Sequence, residues 1–451
     1  MNLPVAFEAA MRVQLGDDFG AFEAALQATT PVSVRLNAYK MTTRQCWPEA
    51  EGVLWHRSAF YLSARPVFAL DPVWHSGGYY VQEASSMLLA EVVRQSLAVG
   101  SKSLKVLDMC AAPGGKSTLL ADVLPEGSLV VANEVIRHRT EILAENVVKW
   151  GNPNMVVTNA DPAAFAPLAG WFDAVLVDAP CSGEGLFRKD PAAMREWSPE
   201  AVQTCAARQR RILAESVLLL REGGLLWYST CTYNASENDQ NVAWLCAEMG
   251  MESVAISMPE LWGITPTEGG WQCYPHRTRG EGFFIACLRK VADTPCAPPD
   301  GYLRWERVAT AKKASFLDWI AQPETFRYYY KPDGTVVALP VSWLEEFGIL
   351  QRVLRPRIMG FEVGEPKGND LAPAHALALS TARSGAILSA ELSKNEALTF
   401  LKKESLGLDL QRGWTLMQYN GLPIGWAKAI PGRINNYLPK HFRLRMDLGK
   451  K

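Results

Sequence analysis

Two cysteines that each follow a buried strand are the residues of this 451-residue chain best suited to chemistry. Cys181 lies in Asp178-Ala179-Pro180-Cys181-Ser182-Gly183, and Cys231 lies in Ser229-Thr230-Cys231-Thr232. Because each segment follows an apolar run, both thiols are expected at the same edge of one sheet. A thiolate is a strong nucleophile, above all where local dipoles lower its pKa. The pair predicts covalent catalysis on an electrophilic ring.

A glycine-rich loop after a third strand predicts a cofactor site. It runs from Cys110 to Lys116, after the apolar run that ends at Asp108. Free backbone N–H groups at the start of a helix can bind an anionic or polar ligand. Cys110 stands where a phosphate-binding P-loop has its first glycine, and the spaced glycines of the dinucleotide motif are missing. For the Pro-Gly-Gly alone, a simple tight turn is the more economical interpretation.

Acidic residues at successive strand ends favour an adenosine-containing cofactor. Glu134 follows Asp108 by 26 positions, where an acidic residue binds the ribose hydroxyls. Asp161 could accept a hydrogen bond from the adenine amino group. Each carboxylate could instead cap a helix. Without the dinucleotide glycines, the set points to S-adenosylmethionine rather than NAD. The predicted cofactor-binding residues are Cys110, Ala111, Ala112, Pro113, Gly114, Gly115, Lys116, Glu134, Asp161 and Asp178.

Two thiols beside such a loop suit methyl transfer to carbon 5 of cytosine. This carbon is too electron-poor to attack a methyl sulfonium, but a thiolate added at carbon 6 makes it nucleophilic. A carboxyl group that protonates or hydrogen-bonds ring N3 would assist the addition, and Asp178 is placed to do so. The carbon 5 proton must then leave and the thiol be expelled, a step that a second thiol could help. The base must be flipped out to be reached.

Alternating strand and helix patterns between residues 76 and 290 predict an α/β fold with a mostly parallel, helix-covered sheet. The predicted strands are 104–108, 128–133, 154–158, 173–177, 224–229 and 282–287, and the predicted helices are 116–124, 137–150, 199–221 and 236–249. Ligands of such sheets bind beyond the carboxyl ends of the strands. Asp108, Glu134, Asp161, Asp178 and Cys231 all fall there.

Smaller segments flank this predicted core. Residues 1–75 are expected to form a small α+β domain, 297–370 a small mixed module, and 376–451 a compact module with a hairpin turn at Asn420-Gly421. The last segment has 12 Lys and Arg against 5 Asp and Glu, a charge of +7 in a chain of net charge −1. Such a segment is typical of a polyanion partner, although a solvated surface explains it equally well.

Three polar residues near the predicted core are weaker candidates for the site. Arg35 and Asn37 follow a short strand and could face a substrate, but residues there more often form turns. Gln82 could belong to a base pocket, and loop polarity explains it equally well.

Composition predicts a cytoplasmic protein. No apolar run is long enough to span a membrane, and the N-terminus lacks a signal pattern. Nine scattered cysteines argue against a disulfide framework, and none is paired at zinc-type spacing, so no metal site is predicted. Apart from the chemical candidates, the cysteines are expected to be small buried residues, namely Cys46, Cys205, Cys246, Cys273, Cys287 and Cys296.

Taken together, the motifs resemble the Nop/Sun family of RNA cytosine-5 methyltransferases. The matches are residues 108–118, Glu134, Asp161, 178–183 and 229–232, with Arg188-Lys189, Trp197, Gln209 and Glu237-Asn238. They cover residues 76–290 and imply a Rossmann-like class I methyltransferase core that uses S-adenosylmethionine. The resemblance implies Cys231 as nucleophile, Cys181 as the thiol that promotes release, and Asp178 near the base. Glu134 replaces a common aspartate and can still bind a ribose diol.

The flanks resemble one bacterial branch of this family that acts on small-subunit ribosomal RNA. The matches are residues 34–37, 80–86 and 421–427. They imply an accessory RNA-binding domain at 1–75 and a basic, PUA-like, β-rich RNA-binding module at 376–451. In that module Lys428, Arg433, Lys440, Arg443 and Arg445 are interleaved with Tyr437 and Phe442, which suits phosphate contacts and base stacking. The expected partner is 16S ribosomal RNA or the assembled small subunit, bound by a monomer.

Alternatives remain open at this point. The substrate could be transfer RNA, another RNA or DNA. DNA cytosine-5 enzymes use the cysteine of a Pro-Cys motif, here Cys181, whereas the Thr-Cys-Thr around Cys231 favours the RNA type. A non-catalytic ribosome-assembly factor would share the fold, but the intact set of acids and thiols argues against it.

Overall fold

Four β-sheets follow one another along the described part of the chain. The computed structural model describes residues 3–41, 47–309, 316–368 and 370–446. Within that part, no helix has the length and apolar character that a membrane span needs.

The first sheet is antiparallel, in the order β2-β3-β1-β4. Its strands are β1 (Val32–Leu36), β2 (Glu51–Val53), β3 (His56–Leu62) and β4 (Tyr79–Val81), with helices α1 (Val5–Leu15), α2 (Phe19–Gln27), α3 (Pro72–His75) and α4 (Leu89–Ser96). Because β4 pairs with β1, the domain boundary expected at residue 75 falls inside this sheet.

The second sheet is the largest and has a parallel centre in the order β9-β8-β5-β6-β7. The central strands are β5 (Lys105–Asp108), β6 (Leu129–Asn133), β7 (Met155–Thr158), β8 (Phe172–Asp178) and β9 (Leu220–Thr230). The covering helices are α5 (Gly115–Val123), α6 (Arg137–Trp150), α8 (Pro199–Leu219) and α9 (Asp239–Glu248), whereas the short α7 (Pro191–Glu196) packs beside α1 and α2. The apolar central strands are buried on both faces, as parallel strands under helices must be. The predicted mostly parallel α/β sheet is confirmed.

Antiparallel strands complete both edges of this sheet. On the β9 side are β10 (Met251–Ser253), β11 (Thr265–Pro266), β12 (Trp271–Cys273) and β13 (Phe283–Lys290), with β13 antiparallel to β9. On the other side, β7 pairs with two residues from much later in the chain, Ile358 and Met359. So short a strand has no sequence pattern, and the prediction missed it.

The third sheet follows a proline-rich linker that contains Pro295, Pro298 and Pro299. It contains β14 (Glu306–Arg307), β15 (Phe326–Tyr330), β16 (Val336–Pro340), β18 (Phe361–Lys367) and β19 (Asp370–Pro373). Strand β17 (Ile358–Met359) lies in the same part of the chain but is the strand that pairs with β7 of the second sheet. Helix α10 spans Leu344–Leu354. Apolar side chains of α10 lie in the same core as β5 and β8 of the large sheet. This region is therefore packed onto the large sheet.

The fourth sheet is the C-terminal one. It consists of β20 (Ser389–Glu391), β21 (Gly413–Tyr419), β22 (Leu422–Ile430) and β23 (Arg433–Asn436), with α11 (His375–Leu379) and α12 (Lys394–Leu401). The hairpin predicted at Asn420-Gly421 is confirmed. Both residues have positive φ, 51° and 71°, as a type I′ turn requires. Three aromatic residues of its hairpin were expected from the sequence to form the core of this module; Trp426 is buried, and Trp414 and Tyr419 are half-buried.

The remaining cysteines differ from the expectation of general burial. Cys273 and Cys287 are buried, and Cys205 is half-buried. For Cys246 and Cys296 the prediction is wrong, since both are exposed. Cys246 lies on the outer face of α9 and Cys296 in the linker, where no element covers them. Cys46 lies outside the described residues.

A fully buried arginine joins the first sheet to the second. The Arg35 guanidinium donates to Gln82 Oε1 (2.9 Å), to Thr118 Oγ1 (2.7 Å) and to the carboxylate of Asp122. It also lies 4.5 Å from the ring centre of Trp150. Thr118 and Asp122 belong to α5, the helix that begins at the glycine-rich loop. The junction therefore fixes this helix against β1.

The three weaker site candidates all belong to this junction. Asn37 donates to the carbonyls of Gly77 and Trp150 (3.1 and 3.0 Å), and its side-chain oxygen accepts from Tyr39 N, which forms a turn. Gln82 is held by Arg35. Arg35, Asn37 and Gln82 do not face the cleft described below. Their side chains instead form hydrogen bonds between the first sheet and the elements packed on it.

We predict that Arg35→Ala lowers the free energy of unfolding by about 3–5 kcal/mol, because Asp122 stays buried without its partner. Urea unfolding followed by circular dichroism measures this change. The control is Arg94→Ala, which removes an exposed pair with Glu91 that should contribute about 1 kcal/mol or less. Equal, small losses in both variants would contradict the structural role of Arg35.

Candidate active site

The pairing of β8 with β9 brings the two candidate thiols together. Asp178 pairs with Ser229 at the carboxyl ends of these parallel strands. Each chain then turns away within two or three residues, and the sulfur atoms of Cys181 and Cys231 lie 2.9 Å apart. Both are free thiols and partly exposed. The Cys231 backbone N–H also donates to Cys181 Sγ at 3.3 Å.

A buried glutamate holds the loop of Cys181 in place. Glu237 accepts from the backbone N–H of Ser182 (3.0 Å) and from Gln209 Nε2 (2.8 Å). Gln209 also donates to the carbonyl of Pro180 (3.1 Å). Burial raises the pKa of Glu237, and the hydrogen bonds of Ser182 oppose that shift. Removing this carboxylate would leave several polar groups of the loop unpaired.

A second bridge ties the two cysteine loops to each other. The hydroxyls of Ser182 and Thr232 lie 3.0 Å apart. Glu184 accepts from the Tyr233 backbone N–H (3.0 Å), and the Gly185 N–H donates to the carbonyl of Cys231 (2.9 Å). The two thiols are therefore held from both sides by contacts that do not involve sulfur.

No role was predicted for Gln209 and Glu237 beyond their match to the family. For Gln209, the helix pattern could have predicted a structural role. It lies on α8 at a position facing the core, where it is fully buried, and a buried amide needs hydrogen-bond partners.

Asp178 is fixed by a charged and a neutral partner. Its Oδ2 lies 2.8 Å from Lys116 Nζ, and its Oδ1 accepts from Ser229 Oγ at 2.8 Å. Burial alone would lower the pKa of Lys116, but the neighbouring Asp178 carboxylate outweighs it and the net shift is upward. Lys116 therefore stays protonated and holds a positive charge at the carboxyl ends of the strands.

The glycine-rich loop turns from β5 into α5. Gly114 adopts a left-handed φ of 108°, which favours glycine. A Cβ on Gly115 would come within 3.3 Å of the Tyr80 ring. Beneath the loop, buried Asp108 accepts from Ser117 Oγ at 2.6 Å, and burial raises the pKa of Asp108 to about 7.

The acids predicted for cofactor binding lie at the next two strand ends. Glu134 accepts from the Ile136 backbone N–H (2.9 Å) and pairs with Arg139 (3.2 Å), which also donates to the carbonyl of Ala112. Asp161 accepts from the Ala163 N–H at 3.1 Å and so caps a short helix. The other oxygen, Oδ2, lies 3.9 Å from the Arg211 guanidinium, and both side chains are exposed to the cleft side of the surface.

One cleft of about 440 Å³ connects these groups. Of the predicted site residues, its walls contain Cys110, Ala112, Glu134, Asp161, Asp178, Cys181 and Cys231. Ala111, Pro113, Gly114, Gly115 and Lys116 are not on its walls. The two glycines pack on Leu143 and Tyr80, and Lys116 acts on the cleft through Asp178. The cleft is also lined by three arginines that no sequence pattern indicated, Arg139, Arg208 and Arg211.

The donor set of the cleft fits an adenosine-type cofactor. Carboxylates at Glu134 and Asp161 can accept from ribose hydroxyls and an adenine amino group, while Ile136 and Pro162 offer apolar surface between them. The thiols and Asp178 lie on the wall of the same cleft. Among the described residues, no group of His, Cys, Asp and Glu side chains could hold a metal ion.

Comparison with known proteins gives matches along nearly the whole chain. Residues 96–289 match the family model "16S rRNA methyltransferase RsmB/F", residues 3–84 match "N-terminal domain of 16S rRNA methyltransferase RsmF", and residues 388–444 match "Methyltransferase RsmF PUA domain". The sequence-based resemblance and the PUA-like C-terminal module are thereby confirmed.

Individual relatives agree with the family models. The ribosomal RNA small subunit methyltransferase F of Pectobacterium carotovorum is 33% identical over 97% of this chain and 95% of its own, and that of Vibrio cholerae is 32% identical over 98% and 97%. A solved methyltransferase homolog from Pyrococcus horikoshii is 25% identical with a TM-score of 0.53, over 61% of this chain and 92% of its own. The protein belongs to the ribosomal RNA small subunit methyltransferase F family.

Proposed function

We propose that the protein transfers a methyl group from S-adenosylmethionine to carbon 5 of a cytosine in 16S ribosomal RNA. The observation that carries this proposal is the pair of free thiols 2.9 Å apart on the wall of the cleft that also contains Asp178, Glu134 and Asp161. The relatives of this protein are named as methyltransferases of small-subunit ribosomal RNA.

The first step assigned to the chain is addition of Cys231 to the base. The Cys231 thiolate forms a bond to carbon 6 of cytosine, and the electron pair of the 5,6 double bond makes carbon 5 nucleophilic. A proton held between Asp178 and ring N3 assists the addition, and charged Lys116 beside Asp178 favours the extra electron density on the ring. S-adenosylmethionine supplies an electrophilic methyl group when bound.

The second step assigned to the chain is release. The proton on carbon 5 passes to water, its electron pair re-forms the 5,6 double bond, and Cys231 leaves as a thiolate. The hydrogen bond with Cys231, with burial, raises the pKa of Cys181, so Cys181 stays a neutral thiol. It can donate to the departing thiolate across the 2.9 Å gap.

Cofactor binding is assigned to other residues that line the same cleft. Glu134 would accept from the ribose diol and Asp161 from the adenine amino group. Cys110 and Ala112 contribute the wall of the glycine-rich loop. The remaining loop residues shape the turn and the start of α5.

RNA binding is assigned in part to the C-terminal module. Its basic side chains include Lys428, which lies 4.9 Å from the ring centre of Trp414. We further propose that the four sheets mark four domains, at about residues 1–81, 82–290, 297–370 and 376–451, so that the first boundary, expected at residue 75, lies after β4. We propose that the protein acts as a monomer and binds either the 16S RNA or the assembled small subunit.

Bisulfite sequencing of ribosomal and transfer RNA tests the proposed substrate. Cells lacking the gene should lose one or a few 5-methylcytosines of 16S RNA, restored by the wild-type gene. Loss confined to transfer RNA would reassign the substrate, and an unchanged map would contradict the proposal.

We predict opposite effects from replacing the two thiols. Cys231→Ala should abolish methylation while leaving S-adenosylmethionine binding intact, because Cys231 is not among the residues assigned to the cofactor. Cys181→Ala should accumulate a covalent protein–RNA adduct on denaturing gels. Cys205→Ala, a half-buried cysteine on α8, is the control and should do neither. An adduct in Cys231→Ala but not in Cys181→Ala would reverse the assignment.

We predict that Glu134→Gln weakens S-adenosylmethionine binding about 10-fold, because a hydrogen bond to a charged group typically contributes about 1.5–3 kcal/mol. Isothermal titration calorimetry measures the change. The control is Glu141→Gln on α6, whose exposed carboxylate lies 3.8 Å from Arg357. Unchanged affinity in Glu134→Gln would remove this residue from the cofactor site.

We predict that Asp178→Asn lowers kcat by about 10²–10⁴-fold, the range expected for a lost acid–base group. Asp173→Asn is a matched control, since Asp173 is ion-paired with Arg221 at the opposite end of the same strand. Single-turnover methylation of an RNA transcript separates this effect from binding. Equal rates for the two variants would show that Asp178 does not act on the base.

A further inference from the structure

A second groove, of about 310 Å³, lies between the first sheet and α6 and shares no lining residue with the catalytic cleft. Its lining includes Arg65, Phe68, Trp74, Tyr80, Asn146 and Lys149. We call it the aromatic groove. Tyr80 OH and Asn146 Nδ2 both donate to the carbonyl of Pro113, at 3.2 and 2.8 Å. The groove therefore touches the glycine-rich loop through a residue that is not on the wall of the catalytic cleft.

The groove offers aromatic surface together with positive charge. Trp74 and Tyr80 are partly exposed, and Phe68 is buried behind them. The Arg65 side chain is exposed, with its guanidinium 5.5 Å from the Phe68 ring centre. Aromatic faces stack on unpaired bases of any sequence, and adjacent cations contact the backbone phosphates.

Lys149 is the strongest sign of an anionic ligand. Its ammonium lies 4.0 Å from the ring centre of Trp74 and 5.9 Å from that of Phe442 in the C-terminal module. Within the described parts of the chain, neither Lys149 nor Arg65 takes part in an ion pair. Burial lowers the pKa of Lys149, and the acid that opposes this shift is Glu145, one turn earlier on α6. A partly buried cation without a paired carboxylate is costly unless an anion binds there.

The surroundings of Lys149 are basic rather than acidic. Lys40 donates to the backbone carbonyls of Ser76 and Lys149, at 2.8 and 2.6 Å. Burial lowers the pKa of His375 to about 3, and the neighbouring His441, Lys149 and Lys40 add to that shift. Burial also lowers the pKa of Lys40, to about 7, so Lys149 and the exposed Arg65 are the main positive groups of the aromatic groove. This distribution complements a phosphate backbone.

We infer that the aromatic groove binds a single-stranded segment of the RNA substrate, with a base stacked on Trp74 or Tyr80 and a phosphate at Lys149 and Arg65. A duplex would not present base faces to these rings. Lys149 of the groove lies near Phe442, and Phe442 stands between the basic residues Lys440 and Arg443. RNA in the groove can therefore continue onto the basic C-terminal segment. The inference rests on the proposed function, since it places part of the same substrate.

Lys149→Gln and Trp74→Leu test the groove. Each should raise the Kd for a fluorescent single-stranded oligoribonucleotide, and the KM for the RNA transcript, about 10-fold. The kcat at saturating RNA and the affinity for S-adenosylmethionine should not change. Lys149→Gln should also reduce the slope of log K against log salt by about 0.7, the value for one phosphate contact to a single strand.

Lys105→Gln is the matched control. Lys105 Nζ lies 4.6 Å from the ring centre of Trp171, so it makes the same kind of contact, but at the amino end of β5. This variant should bind RNA as the wild type does. Lys149 also lies in the last turn of α6, where a positive charge favours the helix, so thermal unfolding of each variant is compared.

Photo-crosslinking of 4-thiouridine-containing RNA to the wild-type protein gives a readout that needs no variant. Crosslinked peptides should include residues 65–81 or 146–150. Wild-type RNA affinity in both variants, or crosslinks only elsewhere, would overturn the inference. The inference would also be overturned if the variants bound naked RNA normally but bound the assembled subunit weakly. In that case the aromatic groove would bind a protein of the subunit rather than RNA. A wild-type enzyme that methylates no RNA would contradict the proposed function instead.

Discussion

The register between β8 and β9 is the constraint on which the active site depends. Asp178 and Ser229 are paired neighbours, so the short loops that follow them have to meet. A shift of one residue would turn the side chains of a strand to the other face of the sheet and would separate Asp178 from both Ser229 and Lys116. The buried strands on both sides make such a shift costly. The 2.9 Å approach of the thiols is thus a property of the sheet as much as of the loops.

The N-terminal segment stabilises this arrangement from two directions. Arg35 holds α5, and with it the glycine-rich loop, against the first sheet. Helices α1 and α2 pack on the residues that follow the two cysteines, with Phe7 4.9 Å from Phe187 and Phe22 5.2 Å from Tyr233 between ring centres. Gln14 adds a hydrogen bond to the carbonyl of Tyr233 at 3.1 Å. The first domain is therefore structural support for the catalytic loops as well as a candidate surface for RNA.

Much of the core could be predicted from the sequence because its signals are local. Buried parallel strands appear in the sequence as continuous apolar runs. Candidate catalytic and cofactor-binding residues that follow such strands must lie at the same edge of the sheet. The hairpin at Asn420-Gly421 is equally local, since its turn type requires those residues.

Other features depend on contacts between distant segments and have no local pattern. The two-residue strand Ile358–Met359 is defined only by the edge of β7 that it covers. Arg35 has the composition of a surface residue, and its full burial follows from Asp122 and Thr118 being brought to it. The sequence likewise placed Lys116 in the cofactor loop, whereas its reach to Asp178 becomes visible only when β5 and β8 lie side by side.

The most direct test of the account is to identify the cysteine that bonds to the base. RNA containing 5-fluorocytosine traps the adduct, because fluorine on carbon 5 cannot leave as a proton does. Mass spectrometry of the digested wild-type complex should find the nucleotide on the peptide containing Cys231. A nucleotide on Cys181 would contradict the assignment of the two thiols, and no adduct on either cysteine would contradict covalent catalysis.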